Sequence, residues 1–396
     1  MATTYHSVIF VFILSAVLYF SKGDIMMDVT TKDFSSFLAE KKSMFFYVVT
    51  NDCNMCAKLF YTFLTASQNF RFDQKTLFGR ALNEDFVGTF DVKRFPSVVY
   101  YKYGSAAPEI FDGDITTGEL LKVVAKASKK DPLLNERNFA LDLTEELFME
   151  VMKTDDQFKL VMLHEAGDKQ NVAMYDKLAE TFQNDHSVVV ARINVDFEKA
   201  LKKKYNAISY PSFYWYSKDR NAKKKRYVGS ANVEQMVSFI NKEAGLFRTS
   251  DGKLNSFAGP IKSLDSVLKK YGKDLYDITN VKQIRIELKQ ESNRLPIETD
   301  KELVDFYFEI LNELEEDRTV DTLTEMRNRI YRQLDGAGPL KFDQLIMKRN
   351  ILNSFIDVIG MHLLGQFSDG FEIPIDINED VDAHRSQDGL TFHEEL

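Results

Sequence analysis

The chain has 396 residues and a formal net charge of -9 at neutral pH. Proteins that bind nucleic acid normally carry an excess of basic residues, so no nucleic-acid partner is expected. The length exceeds what one hydrophobic core spans and predicts two or three domains of about 100 to 150 residues. Because only two cysteines occur, disulfide staples cannot be the source of their stability.

An apolar run, Val8 to Phe20, lies near the start of the chain and is followed by the small residues of Ser21-Lys22-Gly23. The run is too short for a bilayer of about 30 Å, and it predicts a signal peptide over residues 1–23. After cleavage no membrane span would remain. Residues 1–7 contain no Lys or Arg, which signal peptides usually have, so an uncleaved anchor stays open as the alternative.

Cys53 and Cys56 form a single C-x-x-C between a predicted strand, Met44–Val49, and a predicted helix, Ala57–Leu64. Two sulfurs at this spacing can close a small-ring disulfide, and a helix N-terminus stabilises a thiolate. The pattern therefore favours redox use, with a buried, inert thiol pair as the alternative. A zinc site would need a second pair of ligands, which no other Cys or tight His cluster supplies, so neither a metal nor another cofactor is expected.

The same order of elements occurs twice along the chain. After the cysteines, the turn Arg94-Phe95-Pro96-Ser97 leads into the predicted strand Val98–Tyr101. The second copy comprises a strand at Leu160–Leu163, a helix at Asn171–Thr181, a turn at Ser209-Tyr210-Pro211-Ser212 and a strand at Phe213–Tyr216. This repeat predicts two units of one α/β fold, of which only the first carries cysteines.

A strand, a helix started by C-x-x-C and a later aromatic-Pro-Ser turn resemble the protein disulfide isomerase family. The resemblance implies an α/β chain with two tandem thioredoxin-like domains, one with the C-x-x-C at 24–132 and a redox-inactive one at 133–245. It also implies that Cys53 is the nucleophile and Cys56 the resolving cysteine. In the second domain, Glu165 and Asp168 fall at the two cysteine positions.

In that family the proline of the turn is cis and faces the C-x-x-C, which implies a cis bond at Pro96 and at Pro211. The backbone before each proline would pair with an extended client, so Phe95, Pro96, Tyr210 and Pro211 are predicted to bind substrate. An ordinary trans turn is the alternative.

The first domain departs from the family pattern around the cysteines. Asp52 precedes Cys53, and no histidine lies between the two cysteines. The family's buried acid falls at Tyr47, and its modulating arginine falls at Ile115. These changes should raise the pKa of the Cys53 thiol and make the disulfide only weakly oxidising.

Five aromatic residues surround the second proline: Tyr210, Phe213, Tyr214, Trp215 and Tyr216. Alternation along a strand would bury about half of them, with Phe213 and Trp215 in the core. Tyr210 is then the candidate for touching a client.

The basic run Lys223-Lys224-Lys225-Arg226 is short and stands beside Tyr227-Val228-Gly229. A solvated hairpin turn explains such a run without any binding role.

From about residue 246 the pattern becomes helical. Apolar residues repeat on one face in two stretches: Leu303, Tyr307, Ile310, Leu311 and Leu314, then Leu345, Met347, Ile351, Leu352, Phe355 and Ile356. Breaks at 293–296 and 335–339 separate helices. The stretch predicts an all-α bundle over 246–366 and resembles the D domain of Windbeutel-type secretory chaperones.

Residues 367–396 are predicted to form an acidic tail that ends in His393-Glu394-Glu395-Leu396. This tetrapeptide resembles the K-D-E-L retention signal and predicts the endoplasmic reticulum lumen and a retention receptor as a partner. The chain is thus expected to be a protein disulfide isomerase or oxidoreductase acting on unfolded or disulfide-bonded secretory proteins, with a homodimer as one candidate assembly. The alternative is a non-catalytic chaperone that binds clients through the second thioredoxin-like unit and the D domain.

Overall fold

The structure is a computed structural model that describes residues 26–366 except 54, 87, 131–137, 155, 220–221, 273–277, 298 and 317–319. The predicted signal peptide and acidic tail, with the retention-like tetrapeptide, lie outside the described residues. The chain divides into two compact units. The first unit runs to Ala258 and includes Arg332–Met347, and the second comprises Gly259–Tyr331 and the residues from Lys348 onward.

A five-stranded sheet organises the first thioredoxin-like repeat. Its strands are β1 (Met27–Asp28), β2 (Ser43–Val49), β3 (Thr76–Leu82), β4 (Ser97–Tyr101) and β5 (Pro108–Ile110), in the order β1-β3-β2-β4-β5. The helices are α1 (Thr31–Ala39), α2 (Cys56–Gln68) and α3 (Thr117–Ser128). Strand β2 runs parallel to β3 and antiparallel to β4.

Strand β2 is apolar on both faces because the sheet is covered on both sides. Phe45 and Tyr47 point into the core that includes α2 and α3, while Phe46 and Val48 point into the opposite core beneath α1. All four side chains are fully buried. Helix α1 begins with a capping box, in which Thr30 and Asp33 bind each other's backbone N–H groups.

The second sheet repeats the plan of the first. Its strands are β6 (Leu141–Asp142), β7 (Phe158–His164), β8 (Val188–Asn194), β9 (Ser212–Tyr216) and β10 (Lys225–Arg226), in the order β10-β9-β7-β8-β6. Its helices are α4 (Glu145–Lys153), α5 (Lys169–Thr181), α6 (Lys199–Tyr205) and α7 (Val233–Ala244). The predicted repeat and α/β class are confirmed.

The aromatic strand β9 is more buried than simple alternation predicted. Phe213 and Trp215 lie in the core, as expected. Tyr214 is also buried, because the opposite face of the sheet is covered by a second hydrophobic cluster. Three of the five rings are thus buried, close to the expected half, and the burial of Tyr214 is what departs from simple alternation.

The segment 246–258 and residues 332–347 lie in the first unit, although the helical pattern of the sequence predicted both as part of the helical domain. The buried Arg248 explains the association. Its Nε donates to Asp185 at 2.7 Å and its Nη2 donates to Asp343 at 2.6 Å. The boundary between 245 and 246 stays a prediction.

The C-terminal helices are α8 (Lys262–Tyr271), α9 (Ile278–Ser292), α10 (Lys301–Glu316), α11 (Val320–Leu334) and α12 (Pro339–Gln366). The predicted break at 293–296 falls between α9 and α10, and the one at 335–339 separates α11 from α12, although α12 already begins at Pro339. The face of α10 predicted to be apolar is buried throughout, and so are Leu345, Ile351, Leu352 and Phe355 of α12, whereas Met347 and Ile356 are partly exposed. None of the described helices combines the length and hydropathy needed to cross a bilayer.

Candidate thiol–disulfide site

Cys53 and Cys56 are joined by a disulfide, with their Cα atoms 5.4 Å apart. The pair lies at the N-terminus of a helix, as the sequence suggested, but Cys56 rather than Cys53 is the first residue of α2. The Cys56 backbone N–H donates to the Cys53 carbonyl at 3.2 Å. Cys53 is partly exposed, whereas Cys56 is 9% exposed. An approaching sulfur therefore reaches Cys53 more easily.

The two predicted cis-proline turns are confirmed: Phe95–Pro96 and Tyr210–Pro211 are both cis. Strand pairing places the Pro96 turn beside the C-terminal end of β2, since Val48 pairs with Ser97. It places the Pro211 turn beside the C-terminal end of β7 in the same way, since Leu163 pairs with Ser212. The chain continues from the C-terminal end of β2, after Val49, to reach Cys53. The disulfide and the Pro96 turn thus emerge from adjacent strand ends.

A hydroxyl hydrogen bond closes each of these turns in the same way. Ser97 Oγ donates to the Arg94 carbonyl, and Ser212 Oγ donates to the Ser209 carbonyl, both at 2.6 Å. The serine of the aromatic-Pro-Ser motif therefore fixes the turn in both repeats.

Tyr47, which the resemblance placed at the buried-acid position of the family, has a structural role that the sequence did not reveal. Its side chain is fully buried, and its hydroxyl donates to the Cys56 carbonyl at 2.7 Å. Burial raises the pKa of the Tyr47 phenol far above its ordinary value of about 10. The group stays protonated near neutral pH and cannot accept a proton from Cys56.

A cavity of about 750 Å³ lies beside Cys56 and Tyr47. Arg80 lines it and forms a two-point ion pair with Asp28, at 2.5 and 2.8 Å. The hydrogen bond to Asp28 raises the pKa of Arg80. The positive charge of Arg80 lowers the pKa of Tyr47, but by less than burial raises it. Arg80 is therefore a cation that lines the same cavity as Cys56.

The internal repeat carries a sequence signal for this ion pair that the local patterns do not show. Asp28 pairs with Arg80 across β1 and β3, and Asp142 pairs with Arg192 at the same register across β6 and β8. Arg192 also binds Asp142 through an ion pair. An Asp in the first strand and an Arg in the third recur in both copies, so comparing the copies would have found them.

Helix α2 is held against the second repeat by reciprocal hydrogen bonds at its C-terminal end. Gln68 donates to the Asp142 carbonyl and accepts from the Asp142 N–H, both at 2.9 Å. Asn69 donates to the Asn138 carbonyl at 2.9 Å and accepts from its N–H at 2.8 Å. The helix that begins with Cys56 is thus supported by both repeats.

The second repeat has a structural cap where the first has its cysteines. Asp168 is the N-cap of α5 and accepts from the Asn171 N–H, while the Glu165 carbonyl accepts from the Asp168 N–H at 3.1 Å. Neither position offers a thiol. Among the described residues, no three His, Cys, Asp or Glu side chains cluster so as to hold a metal ion.

Phe95 and Tyr210, the aromatic residues predicted to contact clients, are half-buried beside their prolines. Phe95 packs against the core beneath α1, and Tyr210 packs against the core of the second repeat. Lys202 Nζ lies 5.4 Å from the centre of the Tyr210 ring. Each ring keeps an exposed portion, and client contact at these positions stays a prediction.

The thioredoxin family profile matches residues 167–242. A probable protein disulfide-isomerase A6 of Medicago sativa is 23% identical over 349 residues, covering 86% of this chain and 94% of that protein. The protein disulfide isomerase-like 2-1 of Oryza sativa subsp. japonica is 25% identical over 311 residues, with 76% and 84% covered. Among solved structures, the human ERp44 zinc-bound form is 13% identical, with 55% of this chain and 60% of that chain covered and a TM-score of 0.24.

The relatives span most of the chain, and both repeats have the sheet order and cis-proline turn that the sequence resemblance implied. With one C-x-x-C disulfide at the head of a helix, the chain is similar over most of its length to protein disulfide isomerases, and its second repeat matches the thioredoxin family.

Proposed function

We propose that the chain is a thiol–disulfide oxidoreductase and isomerase of the endoplasmic reticulum lumen that assists the folding of secretory proteins. The observation that carries the proposal is the Cys53–Cys56 disulfide at the head of α2, beside the Pro96 turn at the same sheet edge. Cys53 is the nucleophile and Cys56 the resolving cysteine.

Reduction of a client proceeds in two exchanges. The Cys53 thiolate attacks one sulfur of a client disulfide, which forms a mixed disulfide and releases the other client sulfur as a thiolate. The Cys56 thiolate then attacks the Cys53 sulfur, which closes the Cys53–Cys56 disulfide and releases the second client thiolate. The client gains two electrons and this chain loses two. The reverse sequence oxidises a client dithiol.

Isomerisation uses the first exchange without net electron transfer. The client thiolate released by Cys53 attacks another disulfide of the same client, and a client thiolate finally expels Cys53. The greater exposure of Cys53 than of Cys56 supports the assignment of the attacking and resolving roles. Phe95, Pro96, Tyr210 and Pro211 are the residues we propose for client contact.

We propose that the disulfide is weakly oxidising. The carboxylate of the exposed Asp52 adjoins Cys53, no histidine stands between the cysteines, and a protonated phenol replaces the family's buried acid at Tyr47. A negative charge beside a thiolate disfavours it, and a less stabilised reduced form is a weaker oxidant.

The lumenal location rests on the sequence of the chain ends. The signal-like residues 1–23 and the terminal His393-Glu394-Glu395-Leu396 support entry into the secretory pathway and retention by the K-D-E-L receptor. A fluorescent fusion inserted between residue 23 and the mature chain, with the last four residues present or deleted, tests this. Retention with the tetrapeptide and secretion without it are expected.

Covalent trapping of a client on Cys53 tests the proposed thiol–disulfide exchange. With Cys56→Ala, the mixed disulfide on Cys53 cannot be resolved, so incubation of the reduced variant with insulin should accumulate a covalent adduct on Cys53. Cys53→Ala is the matched control, because it leaves one thiol that is 9% exposed and should form far less adduct.

A second candidate function is a chaperone that binds clients without thiol exchange. The protonated Tyr47 beside Cys56 favours it, because the proton relay of typical isomerases is missing. Suppression of client aggregation by the Cys53→Ala/Cys56→Ala variant, together with absence of adducts in Cys56→Ala, would select this function over the first.

A further inference from the structure

A basic cleft lies in the second repeat, away from the cysteines. Its cavity has a volume of about 450 Å³, and the charged residues lining it are Lys153, Lys159, Lys204, Lys224 and Asp219. Four ammonium groups thus face one carboxylate. This concentration of positive charge is unexpected in a chain whose net charge is -9.

Two of these lysines rest on aromatic rings. Lys224 Nζ lies 4.0 Å from the centre of the Tyr205 ring and 4.9 Å from that of Tyr214, and Lys204 Nζ lies 4.6 Å from that of Phe148. Tyr205 contacts both other rings, at 4.8 Å for Tyr214 and 5.9 Å for Phe148. One continuous aromatic floor therefore carries both ammonium groups.

The other two lysines already have oxygen partners. Lys159 Nζ donates to the Thr154 and Gln157 carbonyls, and Lys153 forms an ion pair with Glu150. No carboxylate within the described part of the chain is seen to pair with Lys204 or Lys224. Partial burial, and secondly the charge of Lys204, lower the pKa of Lys224. An anion between the two lysines would relieve this repulsion.

We propose that this Lys204–Lys224 cleft binds an acidic polypeptide segment, with a Glu or Asp side chain between the two ammonium groups. The concave cavity suits one or two side chains rather than a flat lipid surface. Met149, which is 49% exposed, also lines it and offers an apolar contact beside the charges. The occupant is therefore a segment in which an acidic residue has an apolar neighbour.

The proposed cleft defines a class of client segment, so this inference rests on the proposed function. Its chemistry needs no thiol, so the two can fail separately. Binding is measured on the full-length Cys53→Ser/Cys56→Ser protein with a peptide that contains no cysteine. Loss of adduct formation by Cys56→Ala would leave this measurement unaffected.

The experiment is fluorescence anisotropy with a labelled peptide of alternating Glu and Leu, its Gln counterpart and its Lys counterpart. The Glu peptide should bind at least about tenfold more tightly than the Gln peptide. Lys204→Gln/Lys224→Gln should remove that preference, and Lys204→Arg/Lys224→Arg should keep it. The matched control, Lys262→Gln/Lys269→Gln, removes the same charge from exposed positions of α8 and should bind like the parent protein.

If Lys262→Gln/Lys269→Gln weakened binding of the Glu peptide as much as Lys204→Gln/Lys224→Gln, binding would depend on net charge alone and the proposed site would be wrong. Equal affinity for the Glu and Gln peptides would also show the site to be wrong. Binding of phosphatidylserine vesicles in place of the Glu peptide would identify a lipid surface and would contradict the proposal. If the double Gln variant does not fold, Lys224→Gln alone should weaken the Glu peptide about threefold, and no change there would be contrary to it.

Discussion

The Tyr47 hydroxyl donates a 2.7 Å hydrogen bond to the main-chain carbonyl of Cys56. The bond ties the buried centre of the first sheet to the first residue of the disulfide-bearing helix. A phenol at this position can orient the Cys56 peptide but, with its raised pKa, cannot take up a proton from the Cys56 thiol. The hydrogen bond therefore orients the Cys56 peptide without providing a proton acceptor, whereas a buried acid would do both.

Tyr47→Phe should destabilise the first repeat by about 1 kcal/mol or more, because the buried Cys56 carbonyl loses its hydroxyl partner. Chemical denaturation of the oxidised protein measures the change. Tyr100→Phe is the control, since its hydroxyl bonds to Glu109 at a more exposed site and should matter less. Equal losses in the two variants would contradict a special role for Tyr47.

Arg80→Gln should raise the pKa of the reduced Cys56 thiol, because it removes a cation that lines the same cavity as Cys56. We expect a rise of about half a unit or more, measured from the pH dependence of iodoacetamide alkylation in a Cys53→Ser background. Arg71→Gln removes the same charge beyond the far end of α2, where Arg71 pairs with Asp142. Arg71→Gln should leave the pH dependence of Cys56 alkylation unchanged. An equal shift in this control would contradict a specific effect of Arg80 on Cys56.

Arg192→Met should destabilise the second repeat by about 3 kcal/mol, because the partly buried Asp176 loses its ion pair and Asp142 keeps only its pair with Arg71. Arg192 is 5% exposed and forms ion pairs with Asp142 and Asp176. Lys122→Gln breaks an exposed pair with Glu119 and should change stability by less than about 1 kcal/mol. Urea unfolding compares the two, and a small effect of Arg192→Met would show that the cluster relaxes.

His186 should make stability fall in mild acid. Burial, helped by Lys58, lowers the pKa of His186 to about 4, while an unfolded histidine titrates near 6.5. Between about pH 4 and about pH 6.5, His186 is protonated in the unfolded chain but not in the folded chain. The contribution of His186 to the free energy of unfolding is therefore constant above about pH 6.5 and decreases as the pH falls to about 4. His186→Gln should flatten that slope in unfolding curves measured across this range. An unchanged slope would exclude His186 as its source.

Features governed by local pattern could be predicted from the sequence. The strand Met44–Val49 was marked by its apolar run, and the ends of α9 and α11 by the breaks at 293–296 and 335–339. The second proline turn was found by comparison with the first. These signals lie within a few residues of the structure they specify, so no tertiary information was needed.

Features that join distant residues could not be predicted in that way. The contact of Tyr47 with Cys56 depends on how α2 packs over β2, and the contact of Lys224 with Tyr205 depends on the pairing of β10 with β9. The run 223–226 accordingly suggested only a solvated turn, although Lys224 sits on an aromatic floor. Arg248 also gave no local sign of its partners Asp185 and Asp343.

The most direct test of the account is equilibration of the purified protein with glutathione buffers, with the Cys53–Cys56 redox state read by mass spectrometry after alkylation. We expect one two-electron transition with a potential more negative than about -180 mV, the value typical of protein disulfide isomerase. A potential near about -120 mV would contradict the weakly oxidising site. A disulfide that does not exchange with glutathione at all would contradict the catalytic role of Cys53.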